Sequence, residues 1–396
     1  MSKVQQDPIV IVNGARTPMG NFQGALIDAK ATDLGAAAIQ AAVERSKINS
    51  AAVDEVIMGC ILTAGLGQGP ARQAMRQAGL PDSTGAVTIN KLCGSGLKAI
   101  MQAADGISAG SFDIAVAGGM ESMTNAPYLL PNARQGYRMG HKNVLDHMFT
   151  DGLEDAETGK LMGQFAQEMA DKKGYSRKQM DAFAIESLNR ALTAINNGHF
   201  KNEITPVTLT TRKGEVSVDT DEAPALADAE RIPKLRPAFA KDGTITAANA
   251  SSISDGAAAV VLMSKSNAEA QNLTYQAKIV ATASHSQLPS EFTTAPIGAI
   301  QKVLDKAGWS ANEVDLWEIN EAFAMVTMAA IEAFDLDHSR VNIEGGACAL
   351  GHPVGCSGAR IVVTLINSLE RTGGKKGIAA LCIGGGEAVA IALERD

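Results

Sequence analysis

Ile114-Ala115-Val116-Ala117-Gly118-Gly119, running on into Met120-Glu121-Ser122-Met123, is the stretch that decides the fold. Four apolar residues follow one another without polar alternation and stop at paired glycines. Such a run predicts a strand buried on both faces, with backbone open to close contact at its end. The pattern returns near the far end of the chain as Ile378-Ala379-Ala380-Leu381-Cys382, followed by Ile383-Gly384-Gly385-Gly386. Two further landmarks precede each copy in the same order. Leu34-Gly35 begins a helix that leads to Val53-Asp54-Glu55-Val56, and Ile297-Gly298 begins one that leads to Val314-Asp315-Leu316-Trp317. Ile89-Asn90 precedes Cys93-Gly94-Ser95-Gly96, and Val341-Asn342 precedes Gly345-Gly346. Three matched landmarks in order imply two copies of one α/β unit, with a period far too long for a solenoid. Two such copies packed face to face place their loops at a shared cleft.

Other apolar runs, at Ile9–Val12, Glu55–Met58, Lys278–Ala281 and Leu316–Ile319, read as further strands. Helical patterns lie between them at Asp33–Arg45, Gly96–Ala109 and Pro296–Ala307. This alternation predicts α/β layers around a mostly parallel sheet. Residues 126–250 break the pattern: a polar stretch with Arg134, Arg138 and Lys142, helices over Leu161–Lys172 and Lys178–Asn197, then an acidic segment over Thr205–Pro237. They read as an inserted lobe. Ala250–Leu262 reads as the return to the first copy, ending in a strand. The expected division is residues 1–125 with 251–275 as the first half, 126–250 as the insertion, and 276–396 as the second half.

The 396 residues carry 35 Lys and Arg against 43 Asp and Glu, a formal charge of −8, with aromatics at 4%. That acidic balance and the scarcity of stacking side chains argue against a nucleic-acid partner. No apolar run reaches membrane-spanning length, and Met1–Pro8 leads only into Ile9–Val12, so neither a membrane anchor nor a leader is expected. Five cysteines, an odd number in a long chain, read as reduced thiols of a cytoplasmic protein.

Cys93 falls between a strand and a helix, where unpaired N–H groups and the positive end of the helix favour thiolate, marking it as a nucleophile. His352 stands in the loop Gly351-His352-Pro353-Val354-Gly355, suited to a base at a cleft. Cys348, His352 and Cys356 share helical spacing, but the intervening glycines and Pro353 break the helix that a metal site would need, so no metal is expected. Cys382 ends a strand beside Gly384 and reads either as a core cysteine at a tight turn or as a base with an anion pocket of exposed N–H groups beside it. Asn320, in Asn320-Glu321-Ala322-Phe323, reads either as a water-orienting carboxamide or as a helix cap. Gly65-Leu66-Gly67-Gln68-Gly69 lacks nucleotide-loop spacing and reads as a turn. The Arg134–Lys142 stretch reads as a solvated loop, with steering of an anionic substrate as its alternative.

Taken together, Cys93–Gly96, Gly118–Met123, Asn249-Ala250-Ser251, Asn320–Phe323, Gly351–Gly355 and Cys382–Gly386 resemble, over essentially the whole chain, the thiolase family and its short-chain biosynthetic branch. The resemblance implies a thiolase fold: two pseudo-symmetric βαβαβαββ halves in a five-layered arrangement, with a loop domain inserted in the first. It implies reversible condensation of two acetyl-CoA to acetoacetyl-CoA and CoA, with CoA thioesters as substrates and no cofactor. Cys93 would be acetylated, His352 would take its proton, and Cys382 would remove the α-proton. Asn320, through a water, and His352 would hold the enolate oxygen, and the N–H groups of Cys93 and Gly384 would form the oxyanion hole. Met162, Phe239, Ala247, Ser251, Ala322 and Phe323 would line the pantetheine and acyl pocket. A homotetramer joined through a hairpin at Leu129–Asn143 is also implied. Departures from the family pattern are Leu161 where many short-chain members have His, Phe292 without the proline that accompanies it in relatives accepting 2-methyl substrates, and no tyrosine between Tyr175 and Tyr275, which predicts no potassium requirement. Cys348 and Cys356 read as packing residues. The rival readings are a degradative 3-ketoacyl-CoA thiolase of broader chain length, a carrier-protein ketoacyl synthase, which would need a second His in place of Cys382, and a CoA-binding scaffold without activity.

Overall fold

In a computed structural model that describes residues 7–212 and 214–396, each apolar run becomes part of a strand. The reading of Met1–Pro8 falls largely on residues 1–6, outside the described residues. The main strands are β1 (Ile9–Arg16), β2 (Glu55–Gly59), β3 (Gly85–Ile89), β4 (Ile114–Ser122), β5 (Ser254–Ser264), β6 (Ala277–Ser286), β7 (Leu316–Ile319), β8 (Lys376–Ile383) and β9 (Glu387–Glu394). They follow one path in the order β7-β8-β9-β6-β1-β5-β4-β2-β3. The main helices are α1 (Ala31–Ser46), α2 (Pro70–Gln77), α3 (Ser95–Ser108), α4 (Met162–Lys173), α5 (Arg177–Asn197), α6 (Ala295–Ala307), α7 (Ala324–Phe334) and α8 (Ser357–Thr372).

The expectation of a mostly parallel sheet is corrected. Only β2–β3, β2–β4 and β7–β8 run parallel. The β1–β5, β1–β6, β4–β5, β6–β9 and β8–β9 pairs are antiparallel. A continuous apolar run reports burial on both faces and carries no information on direction. The tight turn through Gly385 and Gly386, both at positive φ, folds β9 straight back on β8. The strand expected ahead of Cys93 is β3, a half-exposed edge, whereas β9 was missed because its alanines carry little strand signal.

The internal echo is real but shifted. Glu55 pairs with Ala115 in the first half and Leu316 with Gly377 in the second. Equating the two Val-Asp entries therefore sets Ala115 against Gly377 and Glu121 against Ile383, two residues from the alignment by apolar pattern. An even shift preserves which face each side chain takes, so the pattern alone does not expose it.

Between the two halves lie α3 and α8, whose apolar side chains share one core with inward residues of both, such as Ala117, Val260, Leu381 and Val389. The helix α8 is buried nearly all round, as a central helix must be. The outer face of the first half is covered by α1 and α2, and that of the second by α6 and α7. Five layers result. The two central helices touch backbone to backbone: a Cβ on Gly96 would come within 2.8 Å of Ala359 N, and one on Gly358 within 2.4 Å of Leu97 N. This close approach brings the chain entering α3, with Cys93, beside the chain entering α8, with His352.

The segment between β4 and β5 carries α4, α5 and two hairpins, Tyr128–Leu129 with Leu145–Asp146 and Val207–Thr211 with Gly214–Val218. It is fastened to β1 by Arg16, fully buried, which binds Asp221 at 2.7 and 2.8 Å and Glu203 at 2.6 Å. Stripping one partner from such a buried set costs about 3–5 kcal/mol.

Candidate active site

Cys93 sits one residue ahead of the N-cap of α3. The preceding Leu92 has φ +46°, a left-handed conformation costing a side-chain-bearing residue about 1–2 kcal/mol. The turn compensates with its own hydrogen bonds. Ser95 Oγ accepts from Lys91 N at 2.8 Å and donates to Leu92 O at 2.7 Å, while Asn90 Oδ1 accepts from Leu92 N at 3.0 Å. Lys91 Nζ reaches Glu387 of the second half at 2.6 Å. The backbone N–H groups of Gly384 and of Cys93 itself lie close enough to the Cys93 sulfur to favour its anion. Burial nevertheless pushes the Cys93 thiol up. The helix start that follows Cys93 favours the anion, as the sequence suggests, but desolvation outweighs it.

His352 is buried, and its ring tautomer follows from its neighbours. Ser357 Oγ donates its single proton to Pro353 O at 3.0 Å, so it accepts at 2.5 Å from His352 Nδ1, which must carry the hydrogen. Nε2 is left as a free lone pair, buried and without a partner. Burial, and secondly the Arg360 guanidinium, push its pKa down to about 3. At neutral pH the imidazole is therefore uncharged, with Nε2 open to receive a proton.

Cys382 is fully buried near the end of β8, among Phe292, Phe323 and Met325. Burial raises its thiol well above the ordinary range, and the nearby Cys93 adds to the rise. Asn320 is buried just past β7, its N–H bonded to Ala380 O at 3.0 Å, and both side-chain amide atoms lack a protein partner. It therefore does not cap a helix. A buried carboxamide with neither end satisfied is equipped to hold a water or a carbonyl oxygen.

A cavity of about 420 Å³ opens at the Cys93 and His352 loops. Cys93, His352 and Gly384 line it, as do all six residues expected at the substrate: Met162, Phe239, Ala247, Ser251, Ala322 and Phe323. Cys382 and Asn320 are not among its lining residues. Ser251 N and Oγ both donate to Ala322 O at 3.0 Å, joining the chain that enters β5 to the Asn320–Phe323 loop. Phe323 meets Phe239 and Phe292 edge-on, with centroids 6.2 and 6.4 Å apart. Phe149, Gly152 and Leu153 also line the cavity, from a single π-helical turn at Phe149–Leu153. They were missed, because one irregular turn has no periodicity to read. Ser357 was missed too, although a serine in the first turn after a loop histidine is a readable signal. The Arg134–Lys142 stretch is exposed and contributes nothing to the cavity wall. Among the described residues no cluster of His, Cys, Asp and Glu is arranged to hold a metal ion, and Gly351, at φ +97°, separates Cys348 from His352 and Cys356.

Residues 9–266 match the model of the thiolase N-terminal domain and residues 273–395 that of the thiolase C-terminal domain. The chain belongs to the thiolase family. An acetyl-CoA acetyltransferase of Pseudomonas aeruginosa is 49% identical over 98% of this chain and 99% of its own. Acetyl-CoA acetyltransferase 1 of Arabidopsis thaliana is 48% identical over 99% of this chain and 95% of its own. The thiolase architecture is shared with the crystal structure of the Bacillus anthracis acetyl-CoA acetyltransferase, at TM-score 0.96 and 40% identity over 98% of this chain and 99% of that one. It is shared also with a thiolase of Ascaris suum crystallised with coenzyme A, at TM-score 0.93 and 41% identity over 98% of this chain and all of that one.

Proposed function

We propose that this thiolase is an acetyl-CoA C-acetyltransferase, interconverting two acetyl-CoA with acetoacetyl-CoA and CoA through acetyl-Cys93. The observation that carries the reading is the convergence at an apolar cavity of a thiol, an unpartnered imidazole nitrogen and two backbone N–H groups that favour the thiol's anion, with a second thiol nearby.

His352 Nε2 takes the Cys93 proton as the sulfur attacks the acetyl carbonyl. The N–H groups of Cys93 and Gly384 hold the oxyanion. The C–S bond to CoA breaks, and the departing thiolate takes the proton of Cys382, which burial keeps protonated at rest. Cys382 is now a thiolate of high basicity, suited to a weakly acidic C–H. It removes the α-proton of a second acetyl-CoA. The enolate oxygen is held by the imidazolium of His352 and by a water on Asn320. The enolate carbon attacks acetyl-Cys93, the Cys93 thiolate leaves, and His352 returns the proton it took. Every proton is accounted for without a cofactor, and CoA enters only as substrate and product.

The test is CoA-dependent cleavage of 3-ketoacyl-CoA across chain lengths, with the 2-methyl four-carbon substrate included. Acetoacetyl-CoA should be cleaved best, with steep loss beyond six carbons. Preference for eight carbons or more would move the protein to the degradative reading, and no cleavage of any substrate would reopen the scaffold.

Assembly as a homotetramer belongs to this proposal. The edge strand β3 is open on one side, with Val87 43% exposed. The arm between Leu129 and Leu145 exposes Leu130, Val144 and, at 88%, Met139. Such surfaces suit association with further copies of the chain. Sedimentation at micromolar concentration should give four times the chain mass, and a monomer would reject the assembly. A cytoplasmic location is proposed on the five unpaired thiols, to be checked by cell fractionation; no helix among the described residues is long and apolar enough to cross a membrane.

A further inference from the structure

Glu121 is a fully buried carboxyl group that no step above uses. It lies near the end of β4, in the first half. Its Oε2 accepts from Gly355 N at 3.0 Å and from Ile61 N at 3.1 Å. Its Oε1 accepts from Leu62 N at 3.1 Å and faces Cys60 Sγ at 3.8 Å. Gly355 belongs to the second half, three residues after His352. Ile61 and Leu62 form, with Val354, the small apolar cluster against which Leu92 and Cys93 pack. One side chain thus ties the loop carrying the base to the floor beneath the nucleophile. The fit is tight: a Cβ on Gly355 would come within 2.6 Å of Oε2. Burial pushes the carboxyl up to about 7, against the pull of the three backbone N–H groups.

The duplicated unit does not itself need a carboxylate here. The second-half counterpart by strand register, Ile383, is an ordinary member of the central core. A buried carboxylate is expensive unless several donors satisfy it, and these donors come from the two loops that converge on the reacting sulfur.

We propose that Glu121 is a positioning residue, whose carboxylate clasps Gly355 to Ile61 and Leu62 and thereby sets His352 Nε2 against the Cys93 sulfur. The proposal rests on the reading of Cys93 and His352 as nucleophile and base. Three backbone N–H groups occupy both oxygens. Glu121→Gln offers one oxygen and turns an NH₂ group onto at least one of those donors, whichever way the amide lies. Glu121→Asp keeps the charge but is one methylene short of spanning both loops.

The experiment measures kcat and KM for acetoacetyl-CoA cleavage, and the rate of Cys93 alkylation by iodoacetamide, in wild type, E121Q and E121D. In samples whose near-ultraviolet circular dichroism matches wild type, kcat should fall about 100-fold in both variants, as a displacement near 1 Å does. KM should stay within about twofold, and alkylation should slow in parallel. E121Q with kcat within about threefold of wild type overturns the proposal. So does a loss shared equally by KM, which marks general loosening of the cavity. Should neither variant fold, hydrogen exchange of the wild type decides. The Ile61, Leu62 and Gly355 amides should exchange at least about 100-fold more slowly than those of the exposed arm around Arg138, and exchange at the arm's rate overturns the clasp. Failure of the underlying enzyme reading looks different: wild type would cleave no 3-ketoacyl-CoA, while alkylation would still report on the clasp.

Discussion

Cys93→Ala lowers kcat/KM for acetoacetyl-CoA cleavage by about 10⁴-fold or more, because no other group at the cavity can store the acetyl unit as a thioester. The loss should not come from unfolding. Cys93 is partly buried at the cavity wall, and the turn around it is held by Ser95 and Asn90 rather than by the thiol. The same geometry fixes how the wild-type thiol responds to pH. Burial raises Cys93 above the ordinary thiol range and lowers His352 to about 3. Between pH 5 and 8, therefore, the resting pair is thiol and neutral imidazole, not thiolate and imidazolium. Iodoacetamide inactivation should climb with pH throughout that range without levelling off. A plateau beginning near pH 5 would show a preformed ion pair and contradict the assignment. Protonation of His352 in the free enzyme should likewise leave no acid limb near pH 6 in kcat/KM. Retention of more than about one-hundredth of wild-type activity by the alanine variant would remove Cys93 from the nucleophile's role.

Much of the molecule was legible in sequence because its signals are local. Ile114–Ala117 and Ile378–Cys382 announce buried strands through unbroken apolarity, and both lie inside strands at full burial. Cys93 and His352 were legible because each stands in a glycine-bearing loop before a helix, and the glycines that bring α3 and α8 together fix both loops beside one cavity. Strand direction was not legible, since it depends on what an apolar run pairs with. Nor was the two-residue offset between the copies, which ladder register alone reveals. The environment of each thiol was hidden for a related reason. A helix start ahead of Cys93 favours the anion, but desolvation by residues distant in sequence wins. Glu121 shows the limit most clearly. It was quoted in a motif and given no role, because its three backbone partners lie 59, 60 and 234 residues away.

Cys382→Ala should separate two activities that share one cavity. Condensation and cleavage both require proton transfer at the α-carbon, and alanine supplies no base, so both should fall by about 10³–10⁴-fold. Exchange of labelled CoA into acetyl-CoA requires only that acetyl pass to Cys93 and back. For that step His352 can return the Cys93 proton to the departing thiolate, and the N–H groups of Cys93 and Gly384 remain. Exchange should therefore persist within about tenfold of wild type, the residual loss reflecting the proton Cys382 no longer gives the leaving group. The substitution removes one sulfur from an apolar setting of Phe292, Phe323 and Met325, a small enough change to leave the fold intact. The contrast with Cys93→Ala is then decisive: loss of the nucleophile abolishes exchange and condensation together, whereas loss of the base abolishes condensation alone. Equal loss of both in Cys382→Ala would mean that this thiol serves the acylation step itself. The proton would then leave the α-carbon by another route, for which His352 Nε2 is the unpartnered base already facing the cavity.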